Sequence, residues 1–226
     1  MGAVHRRWFL GSAAVGLLAA AGCNLGSLAY FLTPEQRMPA KLAHLASPDK
    51  RKAPKVVILT NHALDIDAGL FGADQQVAER LAWHLQQLAA SYKDQVEIVP
   101  PNKVAEYKNR NPETWKHDLI AVGKHFKATH VAYIDFLELS MRDPLKVNMY
   151  QGKCHAEVQL FAVARPDDPP HGESLNYRYP SATGAEIPVE DMHPDQFKRV
   201  FVERIAKNLM PFFADHPRPS QYSMDK

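Results

Sequence analysis

One loop of the chain gathers side chains that commonly bind metal ions. His62, Asp65 and Asp67 occur within residues 61–69 and offer one imidazole nitrogen and two carboxylate groups. An Asp-x-Asp pair supplies the oxygen ligands that Mg²⁺ or Mn²⁺ prefers, and a histidine extends the set. Polar residues between a strand and a helix also serve as turn and capping residues. We favour this structural interpretation and keep a metal or ligand site as the alternative.

Sequence motifs of catalysis are missing from the rest of the chain. No HExxH, CxxC or GxSxG pattern follows residue 23, and the eleven histidines lack the spacing of metal ligands. The sequence therefore predicts a protein that is not an enzyme and that holds no metal and no cofactor. The alternative is a metal-dependent hydrolase or ligand-binding protein that uses the His62, Asp65 and Asp67 loop.

Two further pairs of reactive residues lie on predicted strands. Asp135 and Glu138 are three residues apart, and such residues point to opposite faces of a regular strand, so they are predicted not to share a proton or an ion. Alternation within residues 152–164 places Cys154 on the apolar face and His155 on the polar face. A buried free cysteine behaves as a small apolar residue, so neither pair predicts a catalytic site.

Cys23, the other cysteine, ends a segment with three parts. Arg6 and Arg7 precede 14 uncharged residues, 8–21, which include the small residues that lead to Gly22 and Cys23. Fourteen residues are too few to cross about 30 Å of hydrocarbon comfortably. The order of charge, apolar run and small residues is typical of an export signal. We therefore predict that residues 1–22 address the chain and are then removed.

The stretch Ala20-Ala21-Gly22-Cys23 resembles the lipobox of bacterial lipoproteins. The resemblance implies that the Cys23 thiol receives a diacylglycerol group, that cleavage follows Gly22, and that an N-acyl chain such as palmitate is added. Each buried CH₂ contributes about 0.8 kcal/mol, so two or three chains anchor a protein stably. We expect attachment to the cell membrane or the outer membrane, facing the periplasm. Asn24, in place of an aspartate that favours inner-membrane retention, favours the outer membrane.

The export route and the composition restrict the partners. Arg6 and Arg7, followed by Trp-Phe-Leu, resemble a twin-arginine signal, while the general route stays open. Removal of residues 1–22 takes two of 27 basic residues and none of 25 acidic residues, which leaves the chain formally neutral. Without excess positive charge, nucleic acid is not an expected partner. We expect the membrane, through the lipid, and other envelope proteins or self-assembly.

Hydrophobic periodicity predicts the elements of one α/β domain. Five apolar or alternating runs predict strands, and stripes at helical spacing predict about four helices, so the sheet is mixed. In the last helix, Pro211 is predicted to interrupt the stripe formed by Phe197, Phe201, Ile205 and Leu209, which leaves Phe212 and Phe213 either in the core or on a docking surface. The predicted boundaries are a signal peptide at 1–22, an acylated N-terminus and tether at 23–54, the domain at 55–215 and a polar tail at 216–226.

Residues 55–213 resemble a known group of envelope domains. The resemblance rests on three features. They are the buried Val-Val-Ile-Leu strand, a Gly-x-x-x-x-Ala-x-x-Val turn matched by Gly123, Ala128 and Val131, and the final Phe-x-x-x-Phe helix. The resemblance is to the TolB amino-terminal domain and the curli-secretion lipoproteins. It implies a non-enzymatic protein that acts through protein contacts as an accessory or scaffold in a larger assembly. The long amphipathic hairpins needed for a pore are missing from the sequence.

Overall fold

A computed structural model of the chain describes residues 37–62, 67–143, 146 and 148–217. These residues belong to one unit that begins at Arg37. The strands are β1 (Arg37–Met38), β2 (Lys55–His62), β3 (Glu97–Ile98), β4 (His130–Arg142), β5 (Met149–Ala162), β6 (His171–Tyr179), β7 (Ile187–Pro188) and β8 (His216–Pro217). The α-helices are α1 (Ala73–Ser91), α2 (Pro101–Arg110), α3 (Leu119–His125) and α4 (Pro194–Phe213).

The main sheet is mixed, which confirms the predicted fold class. Its order is β3-β2-β4-β5-β6, with β7 paired to β5, and β1 and β8 form a separate two-stranded sheet. Strand β2 runs parallel to β3 and β4, because helices connect these strands. Strands β4, β5 and β6 are antiparallel neighbours along the chain. The described chain is therefore a single α/β domain with four α-helices.

Strand β2 is buried on both faces, as its continuous apolar run predicts. Val56 and Ile58 belong to the larger core, which α1 and α4 complete. Val57 and Leu59 point to the other face, into a smaller core that contains residues from α2 and α3. Alternate residues of one strand therefore contact two helical layers, and the sheet lies between them.

Helix α4 continues through Pro211 to Phe213, so the predicted interruption at Pro211 is wrong. Proline removes one N–H from the helix, but a single loss in the last turn is tolerated when surrounding contacts hold the turn in place. Backbone N–H groups from residues 41–45 supply such contacts by donating to the carbonyls of Pro211, Phe212 and Phe213. Phe212 and Phe213 are fully buried, which places them in the core and not on a docking surface.

The residues before β2 pack against the domain, although residues 23–54 were predicted to form a tether. Leu45 is buried in the larger core, and Ser47 forms a β-bridge with Gln95. His44 Nδ1 accepts a hydrogen bond of 3.0 Å from the Asp215 N–H, and His44 Nε2 lies 3.5 Å from Asp94 Oδ2. The structural unit thus begins at Arg37 and not at Lys55. Tertiary contacts, which local sequence does not reveal, order this stretch.

A β-bulge in β4 changes the prediction for Asp135 and Glu138. Asp135 pairs with Glu157 across β5, and Glu138 pairs with His155, with a register shift between Phe136 and Glu138. Since directly paired residues share a face, and positions 155 and 157 of β5 do so too, the extra residue brings Asp135 and Glu138 to one face. The expectation that they point to opposite faces is therefore wrong.

The Gly123 turn has a packing reason. A Cβ atom at position 123 would lie 2.5 Å from Val163 Cγ2 and 2.8 Å from Val131 Cγ2, closer than side chains approach. The Ala128 N–H donates to the Gly123 carbonyl at 2.9 Å and directs the chain from α3 into β4. The spacing of Gly123, Ala128 and Val131 is thus a structural feature that allows α3 to lie close to the sheet.

Candidate functional site

A crevice lies beside the carboxyl ends of the neighbouring strands β2 and β3. The helices that follow these two strands pack on opposite faces of the sheet. Helix α1 follows β2 and packs in the larger core, whereas α2 follows β3 and packs in the smaller one. In open α/β sheets, ligands bind at such a switch point, beside the carboxyl ends of the strands. The crevice has a volume of about 560 Å³. Volumes of about 300–1,000 Å³ are typical of small-molecule sites.

The early end of β3 creates this space. Strand β3 pairs with β2 only at Lys55 and Val56, and the last hydrogen bond runs from the Val99 N–H to the Val56 carbonyl at 2.9 Å. Pro100 and Pro101 then turn the chain into α2, because proline lacks the N–H that would continue the ladder. Within the described chain, the later residues of β2 have no strand on this side.

Asp74 lies at the floor of the crevice with 7% of its surface exposed. Thr60 Oγ1 donates to Asp74 Oδ2 at 3.1 Å, and His62 Nδ1 lies 3.5 Å from the same oxygen. Asp74 occupies the first turn of α1, where the partial positive charge of the helix end favours a carboxylate. Burial of a carboxylate costs free energy unless hydrogen bonds or opposite charges compensate it. These contacts therefore stabilise Asp74 in its buried position.

Lys108 links α2 to the same group. Its ammonium donates to the Thr60 carbonyl, lies 4.0 Å from Asp74 Oδ2 and sits 4.8 Å from the centre of the Trp115 ring. The Val56 carbonyl points toward β3, and the Thr60 carbonyl points the same way because the two residues are an even number of positions apart in the strand. The Lys108 ammonium therefore donates the hydrogen bond that a longer β3 would have supplied. Burial lowers the pKa of Lys108, Asp74 opposes this shift, and Lys116 adds to it.

The mouth of the crevice carries an exposed aromatic side chain and a helix start. Phe71 is 86% exposed, and its carbonyl accepts a hydrogen bond of 2.7 Å from Lys198 Nζ. Gly72 follows with a φ of 70°, a left-handed conformation that glycine adopts without strain. Gly72 precedes Ala73, the first residue of α1, and has no side chain that could cap the helix. The first turn of α1, with its N–H groups, therefore lies at the crevice.

The predicted metal-binding residues have separate partners where they are described. His62 ends β2 beside Asp74, whereas Asp67 Oδ1 accepts from the Gly69 N–H at 3.1 Å and Oδ2 from the Met141 N–H at 3.4 Å. Asp65 lies outside the described residues. Among the residues that the structure describes, no group of three His, Cys, Asp or Glu side chains is arranged to hold a metal ion. A site that includes Asp65 stays a prediction.

Of the two cysteines, the structure describes Cys154 and not Cys23. Cys154 is buried, and burial, together with Glu138, raises the pKa of its thiol to about 12. A thiol with this pKa is protonated near neutral pH and is a poor nucleophile. The lipidation residue Cys23, the cleavage residue Gly22 and the export residues Arg6 and Arg7 lie outside the described residues, and their roles stay predictions.

Asp74, Lys108 and Trp115 line the crevice but are not among the residues that the sequence predicts to form a site. Lys108 follows Val104 by four residues, so the two share the helix face that packs toward the sheet. A lysine on a buried stripe is a signal that a polar partner lies opposite. The predicted strand–helix–strand order also places a switch point after the first two strands. The two signals together indicate this crevice, although neither identifies Asp74 or Trp115.

Within residues 37–62, 67–143, 146 and 148–217, every helix is too short or too polar to cross a bilayer.

Comparison with known proteins gives only distant structural similarity. No protein-family model matches the chain, and no curated protein matches it. The solved lipoprotein GNA1162 from Neisseria meningitidis is 12% identical over 68% of this chain and 96% of that chain, with a TM-score of 0.41. The PelC dodecamer from Paraburkholderia phytofirmans is 12% identical over 81% and 99%, with a TM-score of 0.40.

The C-terminal domain of LpoB from Salmonella enterica is 12% identical over 62% of this chain and 86% of that chain, with a TM-score of 0.30. The structural neighbours therefore include bacterial lipoproteins, and none of the comparisons indicates a catalytic family. At these identities and TM-scores, the similarity assigns neither a family nor a function to this chain.

Proposed function

We propose that this protein is a lipid-anchored component of the bacterial envelope that faces the periplasm and acts without catalysis, as an accessory or scaffold in a protein assembly. The observation that carries the proposal is the N-terminal order of Arg6 and Arg7, an uncharged run of 14 residues, and Ala-Ala-Gly-Cys ending at Cys23. Charge, length, small residues and cysteine coincide in one segment, and each is required for export and acylation.

The start of the domain at Arg37 is compatible with anchoring at Cys23. Thirteen residues separate Cys23 from Arg37. A chain of this length reaches at most about 50 Å when fully extended. In this proposal the lipid keeps the domain near the membrane surface, and the domain provides the contacts with other proteins.

Several surfaces of the domain are suitable for protein contacts. Trp83 on α1 is 51% exposed, and Leu137 at the β4 bulge is 43% exposed. Tryptophan is enriched among the residues that contribute most to protein interfaces. In the described chain β6 pairs only with β5, so its outer edge presents backbone groups to which another strand can bind. These features support an interaction role and do not select one partner.

The proposal is tested by fractionation and crosslinking in intact cells. We expect the wild-type chain in the membrane fraction and Cys23→Ser in the soluble periplasmic fraction or held as an unprocessed precursor. The matched control is Cys154→Ala, which removes the other cysteine and should leave membrane attachment unchanged. Crosslinking of the wild-type chain should then capture envelope proteins, and Trp83→Ala should reduce that capture. Membrane attachment equal to that of the wild-type protein, in a Cys23→Ser chain that has lost residues 1–22, would contradict the proposed anchor.

A further inference from the structure

The charges around the crevice favour an anionic ligand. Among the described residues, Lys108 and Lys116 line it together with one carboxylate, that of Asp74, so this part of the lining carries one net positive charge when His62 is neutral. Asp74 already lies beside Lys108 and accepts from Thr60. Lys116 has no ion-pair partner among the described residues. The unmatched cationic group is therefore at the exposed side of the crevice, where a ligand enters.

Helix α1 adds to this positive potential. Asp74 and Gln75 of its first turn line the crevice together with Gly72, the residue before the helix, which has no side chain to cap that turn. The first N–H groups of a helix carry a partial positive charge and bind phosphate or carboxylate groups in many proteins. Helix α1 has 19 residues, which gives its N-terminus the full effect of aligned peptide dipoles.

Part of the remaining lining is apolar or aromatic, including Phe71. Trp115 is 4% exposed, and the ammonium groups of Lys108 and Lys116 lie 4.8 and 5.5 Å from its ring centre. Ile58 and Val104 also line the crevice. These three side chains pack in the core, whereas Phe71, at the mouth of the crevice, is 86% exposed, so an apolar group of a ligand can cover it. Small-molecule sites typically combine such an apolar wall with a few polar groups that set orientation.

We propose that this crevice binds a small organic anion, namely a carboxylate or a phosphate monoester joined to an aromatic or apolar group. The anionic group lies among Lys108, Lys116 and the first turn of α1. The apolar group lies against the exposed ring of Phe71 at the mouth of the crevice. The proposal concerns the folded domain alone, so it stands or fails independently of the lipid anchor at Cys23.

The test is a calorimetric titration of the full chain, solubilised in detergent, with three probes. Phenyl phosphate and benzoate carry both ligand parts, and inorganic phosphate carries only the anion. NMR of the Trp115 indole N–H locates the site. We expect saturable binding of phenyl phosphate or benzoate, with a shift of the Trp115 signal, and at least about tenfold weaker binding of inorganic phosphate.

Charge variants separate a built site from general attraction. Lys116→Gln removes an exposed ammonium without disturbing the core and should weaken phenyl phosphate binding by about tenfold. Lys103→Gln is the matched control, because Lys103 is exposed on α2 but does not line the crevice; binding should be unchanged. Three results would each overturn the proposal: no saturable binding of either aromatic probe, equal binding of inorganic phosphate, or equal weakening by Lys103→Gln and Lys116→Gln.

Discussion

Backbone carbonyls lose their regular hydrogen-bond partners at two places, the crevice beside β2 and the end of α4. The chain supplies a different kind of donor at each place. At β2 a side chain does so, because the Lys108 ammonium donates to the Thr60 carbonyl. At α4 the backbone does so, because N–H groups of residues 41–45 donate to the last carbonyls. The first solution leaves a cavity with charged walls, and at the second Phe212 and Phe213 are fully buried in the core. The difference indicates which end of the domain is available for binding and which end closes the core.

The largest effect is expected at the closed end. Phe213→Ala removes a fully buried ring and leaves a cavity where residues 41–45 meet α4. We expect the free energy of unfolding to fall by about 3–5 kcal/mol, measured by urea denaturation. Phe71→Ala is the matched control, since Phe71 is 86% exposed; a change within about 0.5 kcal/mol is expected. Similar losses in both variants would show that the end of α4 is not a tightly packed core.

The next effect is expected in the crevice. Lys108→Met leaves the Thr60 carbonyl without its donor and Asp74 without its nearby ammonium, so we expect a loss of about 2–3 kcal/mol in the free energy of unfolding. The double variant with Asp74→Asn should lose less than the two single variants together, because the two charges interact. Lys103→Met serves as the control on the same helix. Strict additivity would mean that Lys108 and Asp74 do not stabilise one another.

These two regions also show the limits of prediction from sequence. Strand β2 follows from a continuous apolar run and helix α1 from an apolar stripe at helical spacing, because such residues must face a core. The passage of α4 through Pro211 does not follow, because it depends on hydrogen bonds from residues 41–45, which are remote in sequence. The β4 bulge is equally hidden, since one extra residue changes the faces of Asp135 and Glu138 without a local marker.

The candidate site was less predictable than the fold. His62 was identified and does line the crevice, but the sequence placed it in a set with Asp65 and Asp67. The structure instead brings His62 to Asp74 and Lys108 to Thr60, across three separate elements. Such convergence is set by the topology of the sheet and by the early end of β3. No spacing between residues in sequence records it.

A smaller effect is expected where residues 41–45 meet the C-terminus. His44→Ala removes the nitrogen that accepts from the Asp215 N–H and the ring beside Asp94. We expect a loss of about 1–2 kcal/mol in the free energy of unfolding, measured by urea denaturation. His117→Ala replaces an exposed histidine and should change little. If His44→Ala were equally neutral, backbone hydrogen bonds alone would hold this segment.

The smallest effect concerns an ion pair between α1 and α4 and depends on pH. Burial raises the pKa of Glu203, but His84, at 2.8 Å, and Lys207 outweigh it, so the pKa lies below the ordinary value of 4.5. A carboxyl with a lowered pKa in the folded state stabilises the protein above its unfolded pKa and loses this contribution as pH falls.

Wild-type protein should therefore be more stable than Glu203→Gln near neutral pH, by less than about 1 kcal/mol because the pair is partly exposed. The difference should shrink as the pH falls below about 4.5, as urea denaturation at several pH values would show. A difference that stays constant as the pH falls would mean that the charge on Glu203 has no part in holding α1 to α4.

The mass of the mature chain tests the central claim most directly. The protein should be purified from membranes and its N-terminal peptide identified by mass spectrometry. We predict that the peptide begins at Cys23 and carries the added mass of a diacylglycerol group and an N-acyl chain. A mature chain that retains residues 1–22, or an N-terminal peptide beginning at Cys23 without acyl mass, would contradict the account of this protein as an envelope lipoprotein.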